Sequence, residues 1–322
     1  MIANQVSTDE FRRAHEHVKS HAHHTPLLSS RSLSEASGLR IMLKAESFQR
    51  TGSYKIRGPL NKLALLDESA KEAGVICSSA GNHAQGVALA AAIHGVRAVV
   101  VMAVNATPSK IEATRAYGAE VVLHGTIWDE ANEKALELVE EQGLTYVHPF
   151  DDLDLITGQG TVGLEIYDDL PSVDTVVVPI GGGGLISGVS MALKSLDPKI
   201  RIIGVESSGA PAMKRSVEEG HRVTLDEVDC VIDGLTVKRV GELTLDIVRR
   251  NVDEIVTLPD EKIFEALLWT MARTKIVVEG AAAAPVAAVL NGLVEAEPGE
   301  TVVCILSGGN LKLDQLSGLS WN

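Results

Sequence analysis

Val176-Val177-Val178-Pro179-Ile180-Gly181-Gly182-Gly183-Gly184-Leu185 runs from a β-branched strand pattern straight into four glycines. Without Cβ atoms, such a loop can take positive φ values and bring its main chain close to a ligand, exposing successive backbone N–H groups. The apolar run Leu185–Leu193 then predicts a helix, whose N-terminus adds unpaired donors and a dipole contribution of about 0.3–1 kcal/mol, up to about 2 in a partly buried setting. The combination is a nest for an anion, most often a phosphate. A nucleotide P-loop would place Lys after Gly188, where Val189 stands. A dinucleotide G-x-G-x-x-G ends on Ile186 or Ser187, depending on where it starts. Glu206, closing the strand pattern Ile202–Val205, is placed as a ribose-binding acid would be and keeps the dinucleotide alternative open.

Around this stretch the chain alternates short strands with helices. Val75–Cys77 leads to Ala84–His94, Ala98–Val101 to Ser109–Tyr117, and Val121–Leu123 to Asp129–Gln142; Gly95, Gly118 and Gly143 close the three helices. Tyr146-Val147 opens a fourth unit. A second series holds Val176–Ile180, Ile200–Val205 and Val302–Leu306, and Phe264, Leu267, Leu268 and Met271 mark one face of a helix over Asp260–Thr274. Alternation of this kind predicts an α/β protein with open parallel sheets covered on both faces. Two three-layer domains are expected: a small one over 50–150, ending near Phe150–Asp154, and a large one over 1–49 plus 151–322. The arm with Thr25–Leu28 and Ile41–Lys44 would join the large domain through a strand inserted out of sequence order. A ligand would sit in the cleft between the two.

Composition narrows the partners. The 322 residues are 45% hydrophobic, ample for a packed interior, and 29 Lys+Arg against 43 Asp+Glu give a net charge of −14. That charge repels nucleic acid and anionic lipid. Cys77, Cys230 and Cys304 are scattered and form no C-x-x-C pair, so neither a disulfide framework nor a zinc site is expected, and a cytoplasmic protein is. Met1–Glu10 has no leader pattern, and no apolar run reaches the roughly 18 residues of a membrane span.

Three further segments adjoin strand ends: Thr51-Gly52-Ser53-Tyr54-Lys55-Ile56-Arg57-Gly58, Ser78-Ser79-Ala80-Gly81-Asn82-His83-Ala84-Gln85-Gly86, and Leu306-Ser307-Gly308-Gly309-Asn310. Together with the glycine loop they offer an amine, an amide beside a backbone nest, an anion cup and a hydroxyl. In these four ordered motifs the chain resembles the fold-type II pyridoxal-phosphate enzymes, in the serine/threonine dehydratase branch that also holds serine racemase. The likeness extends through Arg31–Ser34, Val147–Asp152, Gly158–Thr161, Asp233–Leu235 and Val278–Ala281. It implies a tryptophan synthase beta-like fold and pyridoxal 5'-phosphate as cofactor.

The resemblance makes Lys55 the catalytic residue that carries the cofactor as an imine, a neutral form ready to exchange with a substrate amine, whereas a free lysine near pKa 10.4 is protonated. It sets Tyr54 beside the ring, Asn82 on the ring's 3' oxygen, Gly181, Gly182, Gly183, Gly184 and Leu185 on the phosphate, and Ser307 against the pyridine nitrogen. A hydroxyl there leaves the nitrogen largely unprotonated, which favours prompt loss of a β-leaving group over a long-lived carbanion. Ser79, Ala80, Gly81, Asn82 and His83 would bind the substrate carboxylate at a helix start. Serine racemase has a second, proton-carrying serine where Ala80 stands, and cysteine synthases read Thr-Ser-Gly-Asn-Thr in this motif. Both differences point to a dehydratase.

The implied activity is L-threonine/L-serine ammonia-lyase chemistry. Alternatives are a dehydratase for 3-hydroxyaspartate, phenylserine or a compatible-solute catabolite, serine racemase, and a cofactor-carrying regulatory protein. Glu206 and Ala210 match two positions of a cation site in the racemase-like branch, but its third, an Asp, is Ala212 here; a hard cation needs about six oxygens. Glu206 reads equally as a solvated acid at a strand end. His21, His23 and His24 are read as an exposed segment without carboxylate or cysteine support rather than a metal site, His83 as a structural hydrogen-bonding group, and Cys304 as buried and inert. The length leaves no room for the C-terminal regulatory domain of biosynthetic threonine dehydratases, and a homodimer or homotetramer is expected from the likeness alone.

Overall fold

The computed structural model describes residues 6–311 and residue 316; Met1–Gln5, the start of the stretch inspected for a leader, lie outside the described residues. In chain order the elements are α1 (Thr8–Lys19), β1 (Leu27–Ser29), α2 (Arg31–Ser37), β2 (Arg40–Ala45), α3 (Arg57–Ala64), α4 (Glu68–Ala73), β3 (Val75–Ser78), α5 (Asn82–His94), β4 (Ala98–Met102), α6 (Pro108–Ala116), β5 (Glu120–Leu123), α7 (Trp128–Gln142) and β6 (Thr145–Tyr146). The second series comprises α8 (Leu153–Asp169), β7 (Thr175–Pro179), α9 (Gly184–Leu196), β8 (Arg201–Ser207), α10 (Ala212–Glu219), α11 (Glu242–Asn251), β9 (Glu254–Leu258), α12 (Asp260–Thr274), α13 (Gly280–Leu290) and β10 (Thr301–Leu306).

These elements build two sheets. One has six strands in the order β1-β2-β10-β7-β8-β9, and the other four in the order β5-β4-β3-β6. The arm's strand returns as expected: β2 pairs in parallel with β10 from Arg40↔Thr301 to Ala45↔Leu306. The edge differs from an all-parallel sheet, because β1 pairs with β2 in antiparallel fashion. Only residues 30–39 join these two strands, and a parallel crossover needs a dozen or more.

Strands β3, β4, β7 and β10 are buried throughout, the mark of parallel strands covered on both faces. Helix ends follow local chemistry. Ser7 and Glu10 form a reciprocal capping box at the start of α1, and α5 ends on Gly95 at φ 67°, a left-handed position that glycine takes without strain. Val18 and Ala22 from the N-terminal arm and Leu155 from α8 pack into the core beneath the four-stranded sheet. Among the described residues no helix is long and apolar enough to cross a membrane.

Candidate active site

The glycine loop leaves β7, the Ser78–Gly86 motif leaves β3, and Ser307–Asn310 leaves β10, so all three occupy carboxyl ends of parallel strands, the ligand crevice of open α/β sheets. Lys55 sits in a single 3-10 turn, Tyr54–Ile56, that runs into α3. Tyr54 N–H donates to the Ser307 carbonyl (3.1 Å), Gly309 N–H to the Gly52 carbonyl (2.8 Å), and Ser53 bridges Gly308. The lysine segment is thereby stitched to the end of β10. Gly86 completes the contact from α5: a Cβ there would stand 2.4 Å from the Lys55 carbonyl, so only glycine admits the turn.

Lys55 Nζ lies 5.2 Å from the Tyr54 ring centroid and donates to the Pro149 carbonyl at 2.8 Å. Burial pushes this amine down to about 8, against the opposing pull of Glu279. At pH 7 about one amine in ten is then neutral, compared with roughly one in a few thousand for a free lysine. The Pro149 carbonyl and the Phe150 ring link the amine to the glycine loop. A Cβ on Gly182 would stand 2.2 Å from Phe150 Cδ1, one on Gly181 would stand 2.1 Å from the Gly234 carbonyl, and Gly183 has φ 94°. Steric space and backbone conformation therefore both require the glycines, which open directly into α9. Thr244 Oγ1 donates to the Gly182 carbonyl (2.8 Å), and Asp151 accepts from Glu242 and Thr244 N–H at the start of α11, fixing the loop from behind.

The Asn82 amide is held at both ends. Its Nδ2 donates to Glu279 Oε1 (2.8 Å) and Oε2 (3.1 Å), while its Oδ1 accepts from Asn310 Nδ2 (2.8 Å), which also reaches the Thr51 carbonyl. Glu279 is half-buried, and burial pushes its carboxyl up to about 7 despite the Asn82 bond. Ser79 Oγ accepts from Gly81 N–H (3.1 Å), shaping the turn before α5; Ala80 is half-buried beside it. His83 Nε2 lies 2.9 Å from the Val147 carbonyl, and burial pushes the imidazole down to about 3, so it is neutral. Its role as a hydrogen-bonding group matches the sequence reading. Ser307 is buried, with its carbonyl committed to Tyr54.

The structure thus gathers Tyr54, Lys55, Asn82, Ser307 and the loops around Ser79–His83 and Gly181–Leu185. It keeps the weaker candidates apart. Glu206, at the end of β8, is buried rather than solvated, and both its oxygens accept from backbone N–H groups of α10, Met213 and Lys214, at 2.8 Å; the Ala210 carbonyl accepts from Ala212. No trio of His, Cys, Asp or Glu placed to hold a metal occurs among the described residues. His24 corrects the reading of its segment, since it does meet a carboxylate, Asp169, at 2.9 Å. Cys304 is fully buried in β10.

Sequence reasoning named the segments that hold Glu279 and Phe150 without giving either residue a role, and it missed a buried ion quartet around Arg57, two residues beyond the lysine. Arg57 binds Glu46 (2.8 Å) and Glu165 (2.7 Å), and Glu165 also binds Lys44 (2.7 Å), with the two cations fully buried. A lone charge inside an apolar run, as in Leu164-Glu165-Ile166 and Leu43-Lys44-Ala45, was the available signal.

This donor set fits pyridoxal phosphate: an amine shifted toward neutrality for an aldehyde, a fixed amide for a ring oxygen, a neutral hydroxyl, and a side-chain-free backbone nest for a phosphate. Around it Ser53 Oγ, Ser78 Oγ, His83 Nδ1 and the Gln159 amide are buried with no hydrogen-bond partner among the described residues, as expected of groups lining a ligand site.

Comparisons with known proteins agree. The chain is 47% identical over 311 residues to an L-threonine ammonia-lyase of Thermotoga maritima, covering 97% of this chain and 77% of that one. It is 44% identical over 321 residues to the catabolic L-threonine dehydratase TdcB of Staphylococcus aureus, covering 98% and 92%. The structure superposes on maize serine racemase with a TM-score of 0.93 at 35% identity, covering 97% and 96%. Residues 18–308 match the family model described as pyridoxal-phosphate dependent enzyme, and the chain belongs to that family.

Proposed function

We propose that the protein is an L-threonine/L-serine ammonia-lyase, forming a 2-oxo acid and ammonia by β-elimination. The observation that carries this reading is the Lys55 amine, brought to about 8 beside a glycine nest, with Ala80 rather than a proton-carrying side chain in the α5 motif. The names of the Thermotoga and Staphylococcus relatives support the same reaction.

When bound, the cofactor supplies an aldehyde for the substrate amine and an electron-withdrawing ring that acidifies the α-hydrogen. Lys55 would carry it, the backbone of Gly181–Leu185 would hold its phosphate, Asn82 its ring oxygen, and Ser307 would face its ring nitrogen. The N-terminus of α5, with no acidic residue in its first turn, would offer the substrate carboxylate the backbone N–H groups of Ala80, Asn82 and His83. Ser79 N–H donates to the Val101 carbonyl and Gly81 N–H to Ser79 Oγ, which hold the turn in shape. Once displaced from the cofactor, the Lys55 amine takes the α-proton, and a pKa near neutrality suits it to both uptake and release. The methyl of Ala80 holds no proton to return to Cα, so the β-hydroxyl leaves as water, with the proton now on the Lys55 ammonium available to it, in preference to inversion at Cα. The released enamine then takes up one water to give the 2-oxo acid and ammonia. The same proposal includes two bodies, 50–150 and 1–49 plus 151–322, association as a homodimer or homotetramer, and a cytoplasmic setting.

A panel of β-hydroxy amino acids, read by 2-oxo acid formation, tests the assignment. Threonine and serine should be turned over best. A preference for 3-hydroxyaspartate or phenylserine, or D-serine as the main product from L-serine, would overturn it.

A further inference from the structure

We propose that the side-chain amide of Gln159 is a direct hydrogen-bonding partner of the phosphate held at Gly181–Leu185, so that the site recognises a phosphate through a side chain as well as through backbone. The inference rests on the cofactor-binding reading of that loop.

Gln159 is fully buried in α8, and both ends of its amide lack a hydrogen-bond partner among the described residues. Buried amides are normally paired, so one left free at both ends marks a place where a ligand completes the bonding. Its position says which ligand. A Cβ on Gly188 would stand 2.3 Å from the Ile156 carbonyl, and one on Gly160 would stand 2.7 Å from the Gly188 carbonyl, so these glycines let α8 and α9 touch backbone to backbone. That contact brings Gln159 against the first turn of α9, where a Cβ on Gly184 would stand 2.8 Å from Gln159 Oε1. A half-turn of the amide exchanges Oε1 and Nε2, so either end can face the loop.

The helix it meets is 13 residues long, follows Gly183 as an N-cap that offers no side-chain hydrogen bond, and has no acidic residue in its first turn. Its leading N–H groups are therefore left for an anion, and the Gln159 amide is the neighbouring side-chain donor. A neutral donor suits this depth, because a buried Lys or Arg would carry a desolvation penalty whenever the phosphate was absent.

Replacing Gln159 with Met keeps the length and flexibility of the side chain and removes its donors. Full-length protein, stripped of cofactor, is titrated with pyridoxal phosphate and with pyridoxal, which has the same aldehyde and no phosphate. For Gln159→Met, affinity for pyridoxal phosphate should fall about tenfold or more, as for a lost hydrogen bond to a charged group. Affinity for pyridoxal should stay unchanged, and the cofactor-free protein should melt no lower than wild type. Wild-type affinity for pyridoxal phosphate in the variant, equal losses for both ligands, or a lower melting temperature would overturn the proposal. If Gln159→Met does not fold, Gln159→Glu decides: a selective loss of the phosphorylated ligand supports the role, and unchanged or equal losses overturn it. Failure of both variants to fold marks the amide as structural and overturns the proposal. If wild type itself binds neither ligand, the cofactor assignment is what has failed.

Discussion

Replacing Arg57 with Met should cost about 3–5 kcal/mol of stability, as expected when one partner of a buried ion pair is removed. Arg57 donates to Glu46 through Nε and Nη2 (both 2.8 Å) and to Glu165 through Nη1 (2.7 Å) and Nη2 (2.9 Å), at 0% exposure. The quartet of Arg57, Lys44, Glu46 and Glu165 is balanced; without Arg57, two buried carboxylates face the single ammonium of Lys44, with Asp169 at the rim 3.8 Å from it. The penalty lies mostly in that stranded charge, so adding Glu46→Gln should recover roughly half of the loss, a coupling of about 1–3 kcal/mol. The sign with pH follows. In Arg57→Met one carboxyl is raised by burial and by its like-charged neighbour, so the folded variant binds a proton that the unfolded chain releases near pH 4. Its deficit against wild type should therefore be larger at pH 8 than at pH 5. Urea unfolding of the single and double variants, followed by circular dichroism at both pH values, measures each quantity. A loss below about 1 kcal/mol, or a double variant less stable than Arg57→Met, would refute the reasoning.

Gly182→Ala puts a methyl into the Phe150 ring, an overlap costing about 1–3 kcal/mol; cofactor titration should show weaker binding, partly restored by Phe150→Ala. Ala80→Ser supplies a proton-carrying group in the α5 motif, and chiral chromatography should detect D-serine from L-serine at a rate at least about tenfold above wild type. His83, held neutral with its imidazole down to about 3, contributes stability that is fully present above its ordinary pKa near 6.5 and is lost as pH falls toward 3. Acid unfolding of His83→Gln should accordingly show a shallower loss over that window than wild type.

The α/β architecture was legible because parallel strands buried on both faces write themselves as unbroken β-branched runs, as in Val176–Val178 and Val302–Val303. The exception at β1 arose from connection length, which no apolar pattern records. Likewise Lys55, Asn82 and the glycine loop sit in contiguous motifs whose backbone demands leave a trace in sequence. Glu279 and Gln159 fall inside two segments of the likeness, Val278–Ala281 and Gly158–Thr161, but no local pattern marks what either side chain meets. Glu279 acquires its neighbour Asn82 across 197 positions, and Gln159 reaches Gly184 only because Gly160 and Gly188 let two helices touch. The quartet around Arg57 is similarly a product of packing, joining β2, α3 and α8 with the turn at Glu46.

The central claim is that the Lys55 amine carries the cofactor. Borohydride reduction of protein supplied with pyridoxal phosphate, followed by peptide mass mapping, should place a single pyridoxyl adduct on Lys55, and Lys55→Ala should lose both the visible absorbance and 2-oxo acid formation. An adduct on another lysine, or turnover surviving in Lys55→Ala, would contradict it.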